Sequence, residues 1–207
     1  MSGFNMKKIA VLISGRGSNL KALIDAVNHK SLSADITLVM SNKPQAQGLS
    51  HAQKAGIATL AIEADGYQSH QAYEEALLLQ CRVAKVDYIV LAGYMKLLGE
   101  TMLSAYAGKI INIHPSLLPK YKGLKAQKQA LEAGEKVSGC TVHFVTSQMD
   151  AGPIIAQQEV EVREGDTEES LAARILLEEH RLFPKALQDV LDGKFKNIEN
   201  KLQKINS

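Results

Sequence analysis

Residues 8–20, Lys8-Ile9-Ala10-Val11-Leu12-Ile13-Ser14-Gly15-Arg16-Gly17-Ser18-Asn19-Leu20, decide how the rest of the chain is read. Residues 8–14 are an apolar run without the alternation of a strand that has one wet face, so they fit a strand buried on both sides. Two glycines then let the chain turn tightly. Leu20, Leu23, Ile24 and Val27 follow at helical spacing, so residues 20–27 read as a helix. Strand, glycine turn and helix together open a βαβ unit.

The same rhythm continues outward. Residues 35–40 form a second strand, closed by Ser41-Asn42-Lys43-Pro44, and residues 48–55 a helix stopped by Gly56. Residues 57–62 give a third strand, residues 69–83 a helix, and residues 87–92 a fourth strand. This alternation predicts an α/β fold, a Rossmann-like, mostly parallel sheet flanked by helices. The second half differs. Residues 109–113 read as a short strand running into the loop from His114 to Pro119, and residues 123–133 as a helix ended by Gly134. Strands at 139–145 and 154–162 flank the turn Gln148-Met149-Asp150-Ala151-Gly152-Pro153, which predicts antiparallel pairing and a mixed C-terminal half. A long helix is expected from about residue 167 to 192, with Asp166 as its cap. Pro184 should kink or split it. The lysine-rich tail at 194–207 reads as a solvated flap. The organisation is one domain over residues 1–207, with lobes at about 7–100 and 101–192.

Bulk properties narrow the function. The chain has 207 residues, 45% hydrophobic and 22% charged, enough for a sizeable core. A formal net charge of +2 leaves no electrostatic footprint for nucleic acid or a membrane surface. Cys81 and Cys140 sit in apolar segments and read as free thiols in a reducing compartment. No targeting pattern or membrane-length apolar run is visible, so a cytoplasmic location is expected.

Three places carry polar groups in patterns that suggest chemistry. Gly15-Arg16-Gly17-Ser18-Asn19 brings backbone N–H groups to a helix start, a setting for an anion. It reads otherwise as an ordinary turn with a serine cap. Leu20 replaces the third glycine of a dinucleotide fingerprint, and Met40-Ser41-Asn42 lacks the acid that would hold an adenine ribose, so a phosphate monoester fits better than NAD or ATP. Asn112 and His114, two apart at a strand end, leave the same face, and Pro115 restricts the backbone of His114. The alternative is a satisfied histidine in a turn. Asp150 lies between strands that should flank that edge. A carboxylate beside an imidazole orients it and favours its charged form, which could steady an oxyanion together with the Asn112 amide. Asp150 could equally be an exposed turn aspartate. The histidines show no metal-ligand spacing.

Asn112-Ile113-His114-Pro115-Ser116-Leu117-Leu118-Pro119, with Asp150 downstream, resembles the signature of the folate-dependent formyltransferases. The similarity runs from about residue 7 to 192. Residues 14–20, Pro119-Lys120-Tyr121-Lys122-Gly123 and Val142-His143-Phe144-Val145 resemble the branch that acts on phosphoribosylglycinamide. The resemblance implies direct transfer of the formyl group of 10-formyltetrahydrofolate, a co-substrate, to the glycinamide amine in purine synthesis, without an acyl-enzyme or a metal. It implies Asn112, His114 and Asp150 as the catalytic set. Gly17, Ser18 and Asn19 would hold the phosphate, with Glu179 on the ribose side. Met95, Lys96, Leu97 and Leu98, with Asn112, would line the folate pocket. His70 is expected beside the folate as well; it and Lys96 stand where relatives often carry arginine, and Ala151 where they carry glycine. The partners expected are small molecules, with no nucleic acid or membrane, in a monomer or weak homodimer. A formyl-folate hydrolase and a relative acting on initiator tRNA are alternatives, each typically with a further domain that this chain is not expected to carry. A non-catalytic phosphoribosyl-binding module is a third. His143 reads as a packed core histidine, with a proton shuttle as its alternative.

Overall fold

The computed structural model describes residues 6–198 and 201–204. Its strands are β1 (Lys7–Ile13), β2 (Ala34–Ser41), β3 (Ala58–Ala61), β4 (Tyr88–Leu91), β5 (Ile110–His114), β6 (Val137–Phe144), β7 (Ile154–Glu161), β8 (Phe195–Ile198) and β9 (Lys201–Lys204). The α-helices are α1 (Ser18–Asn28), α2 (Gln47–Lys54), α3 (His70–Val83), α4 (Glu100–Ala105), α5 (Ala126–Glu132) and α6 (Glu168–Leu191).

Seven strands make one sheet in the order β3-β2-β1-β4-β5-β6-β7. The pairings from β3 through β5 are parallel, and β6 and β7 join antiparallel. This is the mixed α/β sheet expected. The apolar run of β1 is explained by its two buried faces. Ile9, Val11 and Ile13 pack with Leu20, Leu23, Phe183 and Leu187 of α1 and α6, while Ala10 and Leu12 pack with Tyr73 and Leu77 of α3. Successive side chains point to opposite layers, so both must be apolar.

The order of connections reverses at β1, which has β2 on one side and β4 on the other. In open parallel sheets the loops at the carboxyl ends of strands diverge at such a point and leave a crevice. The segments leaving β1, β4 and β5 are therefore where polar groups can gather without breaking the core.

Several elements differ from the sequence reading. Helix α6 is not split: Pro184 lies inside one helix and is itself buried. Its cap is Thr167, whose side chain accepts from Ser170 N in a capping box. Asp166 supports that turn from outside, accepting hydrogen bonds from Ser170 Oγ and Arg174. Helix α4 is an addition, and α5 begins at Ala126 rather than near residue 123. Over its described part the tail holds β8 and β9, which pair antiparallel. The Phe195 ring meets Phe144 edge-on at 5.8 Å. Residues 199–200 and 205–207 of that tail lie outside the described residues. No described helix is long and apolar enough to cross a membrane.

Candidate active site

The carboxyl end of β5 supplies Asn112 and His114, and the antiparallel register of β5 with β6 sets Asn112 opposite His143 and His114 opposite Thr141. Residues opposed in this way face the same side of the sheet. The Asn112 and His143 side chains accordingly meet, with Asn112 Nδ2 3.1 Å from His143 Nε2. The other His143 nitrogen, Nδ1, lies 3.0 Å from the carbonyl oxygen of Phe144. A carbonyl can only accept, so Nδ1 carries the proton and Nε2 is left to accept from the Asn112 amide. Burial pulls the His143 pKa below its ordinary value, partly offset by the Phe144 carbonyl and Asp150, which keeps this neutral tautomer in place.

Asp150 reaches the same cluster from the turn between β6 and β7. Its backbone is left-handed, with φ of 47°. Gly152 permits the close approach of that turn to β6, because a Cβ there would lie 1.8 Å from the Phe144 carbonyl oxygen. Asp150 Oδ2 accepts from Gly123 N at 2.8 Å and lies 3.4 Å from His114 Nδ1. Oδ1 lies 3.6 Å from His143 Nε2. The structure thus brings Asn112, His114 and Asp150 together and adds His143, which the sequence reading had put in the core.

Both nitrogens of His114 are engaged. Nε2 lies 2.9 Å from the carbonyl oxygen of Tyr121, while Nδ1 faces the Asp150 carboxylate. A carbonyl can only accept, so Nε2 donates to Tyr121 and Nδ1 is left facing the carboxylate. Tyr121 is itself held by its hydroxyl, which donates to Glu135 Oε1 at 2.7 Å. A histidine held between a carboxylate and a carbonyl can present a donor to a developing negative charge once the carbonyl contact is exchanged for a substrate oxygen.

The loop after β1 forms a second polar centre. No side chain caps α1, whose N-cap Gly17 has φ of 74°, so its first-turn N–H groups are available to an anion. A Cβ on Gly17 would stand 2.4 Å from Gly48 Cα, and Gly48 N donates to the Gly15 carbonyl at 3.0 Å. Behind the loop, buried Asn19 donates through Nδ2 to Glu179 Oε2 at 2.7 Å, while Asn19 Oδ1 has no partner. Burial raises the Glu179 pKa, and the Asn19 hydrogen bond counters it. Beside it on α6, His180 also has a buried, unpartnered Nε2, a polar group the sequence reading missed because it falls mid-helix.

The segment after β4 forms the third wall. Met95 is 64% and Leu97 68% exposed, open apolar surface on a short loop. Ser14 joins this wall to the loop after β1: Met95 N donates to Ser14 Oγ at 2.8 Å, and Ser14 N donates to the Gly93 carbonyl at 3.1 Å. His70 Nε2 is 3.2 Å from the Leu97 carbonyl oxygen. A cavity of about 720 Å³ lies among the segments that follow β1, β2 and β3, lined among others by Ser14, Arg16, Asn42 and, from the segment after β4, Lys96. That size suits a small-molecule ligand, although Asn112, His114 and Asp150 do not line it.

Residues 7–187 match the family described as Formyl transferase. The phosphoribosylglycinamide formyltransferase of Escherichia coli K12 is 45% identical over 192 residues, covering 93% of this chain and 91% of that protein. The trifunctional purine biosynthetic protein adenosine-3 of Drosophila melanogaster is 50% identical over 189 residues; the match covers 90% of this chain and 14% of that longer protein. Among solved structures, glycinamide ribonucleotide transformylase 1 of Symbiobacterium toebii superposes with a TM-score of 0.95 at 43% identity, covering 100% of both chains.

Proposed function

The chain belongs to the formyl transferase family, and from that premise we propose that it moves the formyl group of 10-formyltetrahydrofolate to the amine of 5'-phosphoribosylglycinamide, a step of purine biosynthesis. The observation that carries this reading is the His114–Asp150 pair beside Asn112, in a chain matched along 93% of its length by a phosphoribosylglycinamide formyltransferase.

The amine attacks the formyl carbon directly, and the carbonyl oxygen becomes an oxyanion as the tetrahedral centre forms. The His114 imidazolium and the Asn112 amide face that charge, and Asp150 holds the ring and its positive charge in position. Collapse of the centre expels the folate nitrogen, and a proton passes from the ammonium to it. Preorganised donors of this kind supply much of the stabilisation in carbonyl chemistry. His114 Nε2 must first leave the Tyr121 carbonyl, so the Tyr121 segment shifts as substrate enters.

Each substrate has a wall suited to it. The first-turn amides of Gly17, Ser18 and Asn19 receive the ribotide phosphate, and Glu179, steadied by Asn19, receives a ribose hydroxyl. Met95, Lys96, Leu97 and Leu98 line the folate site, with His70 at its edge and Asn112 at its reacting end. Both ligands are substrates that arrive and leave; no resident cofactor is invoked.

The test is to incubate the purified protein with 10-formyltetrahydrofolate, with and without glycinamide ribotide. A transferase releases tetrahydrofolate only when the ribotide is present, with one formylated ribotide formed for each folate released. Release at the same rate without the amine identifies a formyl-folate hydrolase instead.

A further inference from the structure

Glu74 lies on the apolar stripe of α3, three, four and seven residues before Leu77, Leu78 and Cys81, which are all buried. It is 1% exposed. A carboxylate in such a place is costly to bury unless something on the protein is bonded to it. Its partner is the backbone N–H of Gly99, which donates to Glu74 Oε1. One turn earlier on the same helix face, His70 Nε2 approaches the Leu97 carbonyl at 3.2 Å. The two α3 side chains therefore grip the end of the 95–98 loop by its backbone, one taking an N–H and the other meeting a carbonyl. Ser14 Oγ holds the start of that loop through Met95 N, and the Tyr73 and Tyr94 hydroxyls join between these points. The loop's own side chains, Met95 and Leu97, remain free toward solvent.

We propose that Glu74 is a positioning residue for the folate substrate: it fixes the backbone of the 95–98 loop so that the loop's apolar side chains form a preset wall. This rests on the proposed function, which takes that loop as the folate wall. Gly99 belongs to the same device. A Cβ there would stand 3.0 Å from Glu74 Oε2 and 3.3 Å from His70 Nδ1, so the grip leaves little space for a side chain.

Steady-state kinetics for each substrate, with melting temperature and hydrogen exchange at the Gly99 amide, test this on Glu74→Leu, Glu74→Gln and Gly99→Ala. Glu74→Leu should raise the folate KM about tenfold, the scale of one charge-assisted hydrogen bond. The ribotide KM and kcat should stay near wild type while the Gly99 amide exchanges faster. Glu74→Gln keeps an acceptor and should restore the folate KM. Gly99→Ala should raise it in the same direction without altering the charge, and decides the matter if Glu74→Leu does not fold. A folded Glu74→Leu protein with an unchanged folate KM, or with both KM values raised equally, overturns the proposal. Wild-type protein that turns over no formyl folate overturns the functional reading on which it rests.

Discussion

His114 presents Nδ1 to Asp150 Oδ2 at 3.4 Å while Nε2 meets the Tyr121 carbonyl oxygen at 2.9 Å. The side chains of His114 and Asp150 are 7% and 12% exposed, so water screens their interaction weakly. The reactive ring is thus oriented before substrate arrives.

Asn112 is joined to His143 through Nδ2 and Nε2. His143→Phe keeps most of the buried volume but removes the acceptor for Asn112 Nδ2. Turnover should fall on the order of tenfold, the scale of one buried hydrogen bond, with a smaller change in either KM. Stability should also respond to acid. Burial holds the folded-state pKa of His143 below its ordinary value, so below about pH 6.5 the unfolded chain takes up the proton first and stability falls. The variant should lose that part of the acid slope in a melting-temperature series. Loss of stability with unchanged turnover would return His143 to a packing role.

At the phosphate loop, Asn19→Ala should raise the ribotide KM severalfold and leave formyl-folate binding nearly unchanged. A contact made equally in ground and transition states appears in KM. Direct binding of each ligand, measured by calorimetry, separates this from general damage, which would weaken both. A side chain at Gly17 is a poor probe, because it strikes Gly48 and moves the loop itself.

Glu179 carries the opposite pH sign to His143. Its pKa is raised, chiefly by burial, so its contribution to stability is full below the unfolded carboxylate value of about 4.3 and is lost as pH rises through the folded value. Glu179→Gln should therefore gain on wild type as pH is raised from about 4 toward 7, read as the difference in melting temperature. A difference that does not vary with pH would mean that the carboxyl titrates alike in the folded and unfolded chain.

The sheet was legible because its signal is local. The apolar run of β1 and the Asn112/His114 spacing follow from the two-residue period of a strand. Helix α4 was not, since six residues with only Met102 buried carry no periodicity. The pairing of β8 with β9 was not legible, since the tail's lysines outweigh Phe195, whose contact with Phe144 comes from tertiary packing. Within the site, the missing parts are pairings between distant segments. His143 joins Asn112 only through the register of β5 with β6. Glu74 reads as a polar helix position until Gly99 is seen against it. The turn between the two flanking strands, and then the resemblance, brought Asp150 to the histidine edge, while its left-handed backbone and its contacts with Gly123 and His114 are seen only in the fold.

In the proposed mechanism His114 and Asp150 act as one unit in formyl transfer, and a double-mutant cycle measures that coupling. Asn tolerates left-handed backbone, so Asp150→Asn should fold with its turn intact. Turnover would be measured for wild type, His114→Ala, Asp150→Asn and the double variant at saturating ribotide and formyl folate. His114→Ala should cost about 10²–10⁴ in kcat, the range for a positioned acid or base, and Asp150→Asn should give a clear loss. The double variant should be scarcely worse than His114→Ala alone, because groups acting together are lost together. Losses that multiply, or a folded Asp150→Asn protein with wild-type turnover, would contradict the account.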